Sequence, residues 1–210
     1  MTTSIRLWFG PLAAAILCIG LVGLALTIPG YSAVRQTVSE IGEVGSPARI
    51  PFAVLLCAVA ACLLLFASAV ASWSKRRAQP RWAALFIAFM AAPAAGVGIF
   101  AYPDPLHNLF GMSELVGYQA PLVLALTWRK TPQDRAIVRF SAIMAGVVWV
   151  AILANLTTFH RSGALWASIG PIYGLVQRAL FASWFIWCAG VGLLLLKAQS
   201  MGRAGDLAGQ

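Results

Sequence analysis

Residues 106–128 read LHNLFGMSELVGYQAPLVLALTW, a stretch of membrane-spanning length with a glutamate, Glu114, inside it. About 20 predominantly apolar residues, rising about 1.5 Å each, are needed to cross the hydrocarbon core. A helix that began only after Glu114 would leave too few residues before Arg129 to span, so the spacing predicts a helix starting near Leu106. Glu114 then lies about one to two turns deeper than His107. Positions three, four and seven apart share a helix face, so His107, Gly111 and Glu114 point the same way. An ionisable group at the bilayer centre costs roughly 3 kcal/mol or more, which calls for a partner and a purpose.

Five further apolar blocks surround this one. Of 210 residues, 60% are hydrophobic and 10% charged, far below the about 25% charge of a soluble domain. Most of the chain is therefore solvated by lipid, where only helices and closed barrels satisfy their own backbone. The apolar runs are continuous rather than alternating, which excludes a barrel. The expected fold is all-α: a polytopic bundle of six transmembrane helices over residues 1–197, spanning about 7–28, 51–73, 82–102, 106–128, 137–159 and 171–196. The first block exceeds the ~7–15 residues of a signal-peptide core and lacks a convincing cleavage site, so it reads as a helix. Residues 198–210 are expected to form a short, disordered cytoplasmic tail. Pro93 and Pro121 are expected to kink their helices, and Gly20, Gly23, Gly190 and Gly192 to permit close helix approach.

The net charge of +9 is distributed unevenly. Arg6, Lys75, Arg76, Arg77, Arg81, Arg129, Lys130, Arg135, Arg139, Lys197 and Arg203 fall on one side of the six spans. The other side holds Arg35, Arg49, Arg161 and Arg178. This is the positive-inside pattern and places both termini in the cytoplasm, the N-in/C-in topology. It also removes nucleic acid from consideration, since basic loops beside a membrane meet anionic head groups. Cys18, Cys57, Cys62 and Cys188 all lie in apolar blocks and read as packing residues.

The same topology gathers polar residues on the outer side. Ser39, Glu40 and Glu43 come from the first outer loop; Asp104, His107, Asn108, Ser113 and Glu114 from the start of the fourth span; His160, Arg161, Gln177 and Arg178 from around the start of the sixth. Four of the six acidic residues and both histidines meet at one membrane face, while Asp134 and Asp206 remain inside. Arg178 is the natural counter-ion of Glu114, as a functional or a purely structural pair. Loop residues Val34, Val38 and Ile41 form a weakly amphipathic pattern expected to lie as a short helix on the membrane surface.

Three readings of the histidines stay open. With Asp104 or Glu40, His107 and His160 have the chemistry of zinc ligands, though no HxxH or HxxxH spacing supports it. A histidine beside a hydroxyl such as Ser39 is a general base for attack on a lipid ester, without any nucleophile-elbow motif. Both are otherwise interfacial, hydrogen-bonded side chains. The sequon at Asn155, Leu156 and Thr157 falls inside a span and carries no glycosylation meaning.

Tyr31-Ser32-Ala33, then Thr37-Val38-Ser39-Glu40-Ile41-Gly42 and Ser46-Pro47, resembles the "GYS…TISELG…P" segment of a bacterial and archaeal membrane family, domain of unknown function 998. Tyr102-Pro103-Asp104 with His107 is similar to its "FP-D…H" segment, and Gly174-Leu175-Val176-Gln177-Arg178 to its "GL-QR" segment. A more distant similarity links the Ser-Glu-Ile-Gly stretch to DRAM and FRAG-type six-helix proteins, with Glu40 in place of an aspartate. The resemblance implies the inner membrane of a prokaryote and supports Ser39, Glu40, Gly42, Asp104, His107, Gln177 and Arg178 as one site. It implies no established activity and leaves any cofactor open.

The expected function is binding or modification of a lipid or lipid-linked head group at the outer leaflet. Glu40, Asp104 and His107 are the acid–base candidates; Ser39, Asn108, Glu114, His160, Gln177 and Arg178 are the ligand contacts, with Arg178 on phosphate or carboxylate. Membrane lipids are the expected partners, beside a homo-oligomer or another membrane protein. The rival readings are a small proton-coupled transporter and a non-catalytic assembly partner.

Overall fold

The computed structural model describes residues 1–128, 132 and 134–208, with side chains as far as residue 202. The basic residues Arg129 and Lys130, and the side chains of Arg203 and Asp206, lie outside the described set. No strand occurs among the described residues. Six helical stretches are long and apolar enough to cross a membrane, which defines a multi-pass membrane protein.

The first span joins α1 (Thr3–Leu7) to α2 (Phe9–Ala25). The second and third are α3 (Arg49–Arg76) and α4 (Trp82–Ile99), α4 running unbroken through Pro93. The fourth divides into α5 (Pro105–Gly117) and α6 (Ala120–Thr127). The fifth is α7 (Arg135–Leu156), closed by a 3-10 turn at Thr157–Phe159. After a short surface helix, α8 (Ala164–Ile169), the sixth span is α9 (Tyr173–Ala208).

Packing follows the chain. The second span lies between the first and third, and α9 packs on both α2 and α7. Trp184, Trp187, Phe52, Phe66 and Leu63 are fully buried at the centre, whereas Ile19, Val22, Leu64 and Val150 are exposed, as side chains that face lipid should be. Glycines set the closest approaches: the Phe140 ring crowds the position a Cβ on Gly190 would take, and the Leu7 carbonyl oxygen lies 2.8 Å from where a Cβ on Gly192 would sit. Gly23 meets no neighbour, so it is not a contact point.

Three expectations are refined. The fourth span bends as Pro121 leads one to expect, and the irregular residues are Tyr118 and Gln119, whose backbone stays right-handed helical. Proline has no N–H, so the Gly117 carbonyl four residues earlier loses its helical donor. The Trp184 indole N–H donates to that carbonyl at 3.1 Å instead, holding the bend against α9. The consequence is directional: α6 packs on α7, but α5 leans on α4 and makes no comparable contact with α7 or α9. One half of the fourth span thus splays from the fifth and sixth.

The second concerns the tail. The last helix continues to Ala208 rather than ending near residue 196, because Lys197, Ala198, Gln199 and Met201 are all good helix formers. Ser4 donates to Gln199 at 3.0 Å, joining the N-terminus to this extension.

The third concerns the loop between α2 and α3. It does not lie on the surface as a helix. Only Ser39–Gly42 is helical, as one 3-10 turn, and it is docked into the bundle with Ile41 at 0% exposure. An apolar side chain gains more among helices than at a wet interface, and Gly42 has no Cβ to collide with the Phe52 ring.

Candidate functional site

The docked loop is held by the sixth span. The Arg178 guanidinium donates through Nη1 to the carbonyls of Ala33 at 2.9 Å, Gln36 at 2.8 Å and Gly174 at 2.9 Å. Its Nη2 donates to the Tyr31 hydroxyl, and Tyr31 in turn donates to the Thr37 carbonyl at 2.6 Å. Burial pushes the Tyr31 hydroxyl above its ordinary range, with Arg178 offsetting only part of this, so the phenol stays protonated and donating. Gln177 accepts from the Val38 N–H at 2.6 Å. At the loop's far end the Val44 N–H donates to the Tyr102 carbonyl at 2.9 Å.

Within the loop, Thr37 and Glu40 form a capping box. The Glu40 carboxylate accepts from the Thr37 N–H at 2.5 Å and its hydroxyl at 2.8 Å, while the Glu40 N–H donates to Thr37 Oγ1 at 3.3 Å. This reciprocal cap fixes the turn that carries Ser39.

His107 enters from the first turn of α5. Asp104 caps that helix, accepting from the Leu106 N–H at 2.8 Å, and Pro105 supplies a preset φ at its first position. This directs the imidazole back toward the end of α4, where His107 is 4% exposed. Its Nδ1 lies 2.7 Å from the Phe100 carbonyl and its Nε2 2.9 Å from Ser39 Oγ. A carbonyl only accepts, so Nδ1 carries a proton, and in the neutral imidazole Nε2 is then the acceptor for the serine hydroxyl. The Tyr102 ring meets the imidazole edge-on at 5.8 Å.

Ser39 and His107 open into a cleft of about 580 Å³ formed where α5 splays from α7 and α9. Its polar lining includes Asn108, Glu114, Asn155, Gln177 and Arg161, and its apolar walls Met112, Leu115, Leu156, Phe159 and Phe181. Glu114 accepts from the Tyr118 hydroxyl at 2.9 Å, one turn along the same helix. Asn155 donates to the carbonyls of Ala151 at 2.9 Å and Val176 at 3.2 Å, tying α7 to α9 at the floor. A small enclosed cavity of about 40 Å³ adjoins the cleft and shares Ser39, Glu114 and Tyr118 with it.

The expected site residues therefore separate into two groups. Ser39, His107, Asn108 and Glu114 do meet in the cleft. Arg178 does not pair with Glu114: loop carbonyls take its guanidinium, since one planar fork satisfies several acceptors that would otherwise be orphaned. Gln177 lines the cleft but spends its carbonyl on Val38. Glu40 is turned to its own backbone, and Asp104 is an exposed helix cap, so neither carboxyl is aimed at the cleft. His160 is exposed and lies outside the lining. Asp104, His107 and His160 form no three-ligand cluster, and none exists among the described residues. Tyr118 and Asn155 were not among the site residues expected from sequence. Tyr118 carried a signal, four residues from Glu114 on one helix face; Asn155 carried another, as an amide inside an apolar span.

A multi-pass helical membrane protein with a cleft lined by both polar and apolar side chains is thus the class that fold and site define. The family model described as Protein of unknown function (DUF998) matches residues 11–194. The chain belongs to that family. No curated protein and no solved structure matches it.

Proposed function

We propose that this protein binds and acts on a lipid or lipid-linked head group held in the cleft between α5 and the α7/α9 pair. The observation that carries the proposal is the cleft beside α5, whose lining combines Ser39, His107, Glu114 and Asn155 with Met112, Leu115, Leu156, Phe159 and Phe181. A molecule with a polar head and an apolar chain matches both surfaces. The excess of basic residues at the opposite end supports cytoplasmic termini and a cleft in the outer leaflet of a prokaryotic inner membrane. Arg161 is the one cation lining the cleft among the described residues, which favours a head group of low negative charge.

Gly111 provides the test. A Cβ there would meet only Val97 Cγ2, at 4.0 Å, so a larger side chain grows into open space. Native mass spectrometry of protein extracted gently with its own lipids should show a retained lipid, reduced at least tenfold in Gly111→Trp. Equal retention in the variant, or none in the wild type, contradicts a lipid site here.

A further inference from the structure

We infer that Ser39 and His107 are a nucleophile–base pair that cleaves or transfers the carboxylic ester of a lipid in the cleft. This rests on the lipid-site reading and goes beyond it by assigning a reaction. A serine hydroxyl is a weak nucleophile unless a base takes its proton, and the base works best when a third group fixes its orientation and tautomer. All three parts are present: Ser39 Oγ 2.9 Å from His107 Nε2, and Nδ1 held on the Phe100 carbonyl at 2.7 Å. The pair is supplied by two segments far apart in sequence, each built to hold its member. The Thr37–Glu40 cap sets Ser39, and the Asp104–Pro105 helix start sets His107.

The surroundings select the kind of ester. Arg161 is the single described cation in the lining, so the cleft holds little positive charge to offset what phosphoryl transfer gathers. A carboxylic ester is neutral and gains one negative charge in transit. Asn108, the exposed neighbour of His107 in sequence, lines the cleft, and its side-chain amide, which has no partner among the described residues, is the donor on offer for the oxygen that takes up that charge.

The step balances without a co-reactant beyond water or an acceptor alcohol or amine. Ser39 Oγ bonds to the ester carbonyl carbon as its proton passes to His107 Nε2. The carbon–oxygen bond to the alcohol portion breaks, and His107 returns the proton to the departing oxygen. The acyl group on Ser39 is then taken by the acceptor, whose proton moves through His107 back to the serine oxygen.

The test uses the full chain in detergent with its native lipid, treated with an alkyl fluorophosphonate and followed by intact-mass and peptide mapping. One adduct on Ser39 is expected. It should be absent from Ser39→Ala and form at least 100-fold more slowly in His107→Gln. A merely structural hydrogen bond would give no adduct on Ser39 in the wild type, so the wild-type map decides the inference even if a variant fails to fold. Native mass spectrometry on the same sample separates the two levels. Lipid retained without an adduct overturns the nucleophile alone; loss of both overturns the lipid site as well.

Discussion

Arg178→Ala should lower unfolding stability by about 2–4 kcal/mol and release the loop between α2 and α3. The variant removes the donor from three carbonyls, those of Ala33, Gln36 and Gly174, and from the Tyr31 hydroxyl in one substitution. Among the described residues only the Gln36 carbonyl has a second side-chain donor, the Tyr31 hydroxyl at 3.4 Å, and an acceptor left unpaired away from water costs more than its hydrogen bond contributed. Arg178→Lys should recover less than half of the loss, because one ammonium cannot reproduce a planar fork reaching in two directions. Thermal unfolding in detergent, with tryptic cleavage at the exposed Arg35 as a local probe, measures both effects. A variant as stable as the wild type would show that the loop is held by something other than this guanidinium.

Gly174→Ala should act on the same loop from the other side and with comparable force. An added Cβ would run into the Gln36 carbonyl and sit 2.6 Å from that of Ala33 and 2.9 Å from that of Val34. These are backbone atoms, so no rotamer change relieves them and the loop itself must move. The expected cost is about 2–4 kcal/mol, again with faster cleavage at Arg35. Gly111→Ala is the internal control, since its Cβ meets nothing closer than 4.0 Å and should change stability by under about 0.5 kcal/mol. Indistinguishable behaviour of the two alanines would contradict the docked position of the loop. Arg178→Ala and Gly174→Ala should also weaken lipid retention, because Ser39 moves with the loop.

These two residues also mark the border of what the sequence reveals. The six spans were legible because length and apolarity alone determine them, and lipid permits almost nothing else. The convergence of Ser39, His107, Asn108 and Glu114 was legible too, since topology brings those segments to one face. Partner choice was not. Glu114 and Arg178 carry opposite charges on one membrane side, and charge alone pairs them. The competing acceptors are loop carbonyls more than 140 positions away in sequence from Arg178, and their placement depends on how Ile41 and Val38 bury. Backbone acceptors leave no mark in a sequence. The capping box is different: Thr37 and Glu40 stand three apart just before the docked turn, a pattern that already argues for a structural carboxylate. The bend near Pro121 was half legible, since proline announces a missing donor but not the Trp184 indole that replaces it.

The most direct test of the lipid cleft is to reconstitute the wild-type protein with a lipid carrying a photoactivatable group near its head, irradiate, and map the adducts. The account predicts adducts concentrated on the facing walls of the cleft, at Met112, Leu115, Leu156 and Phe181, and their loss in Gly111→Trp. Adducts spread evenly over outward-facing residues such as Ile19, Leu64 and Val150, with the cleft walls no richer than these, would contradict it.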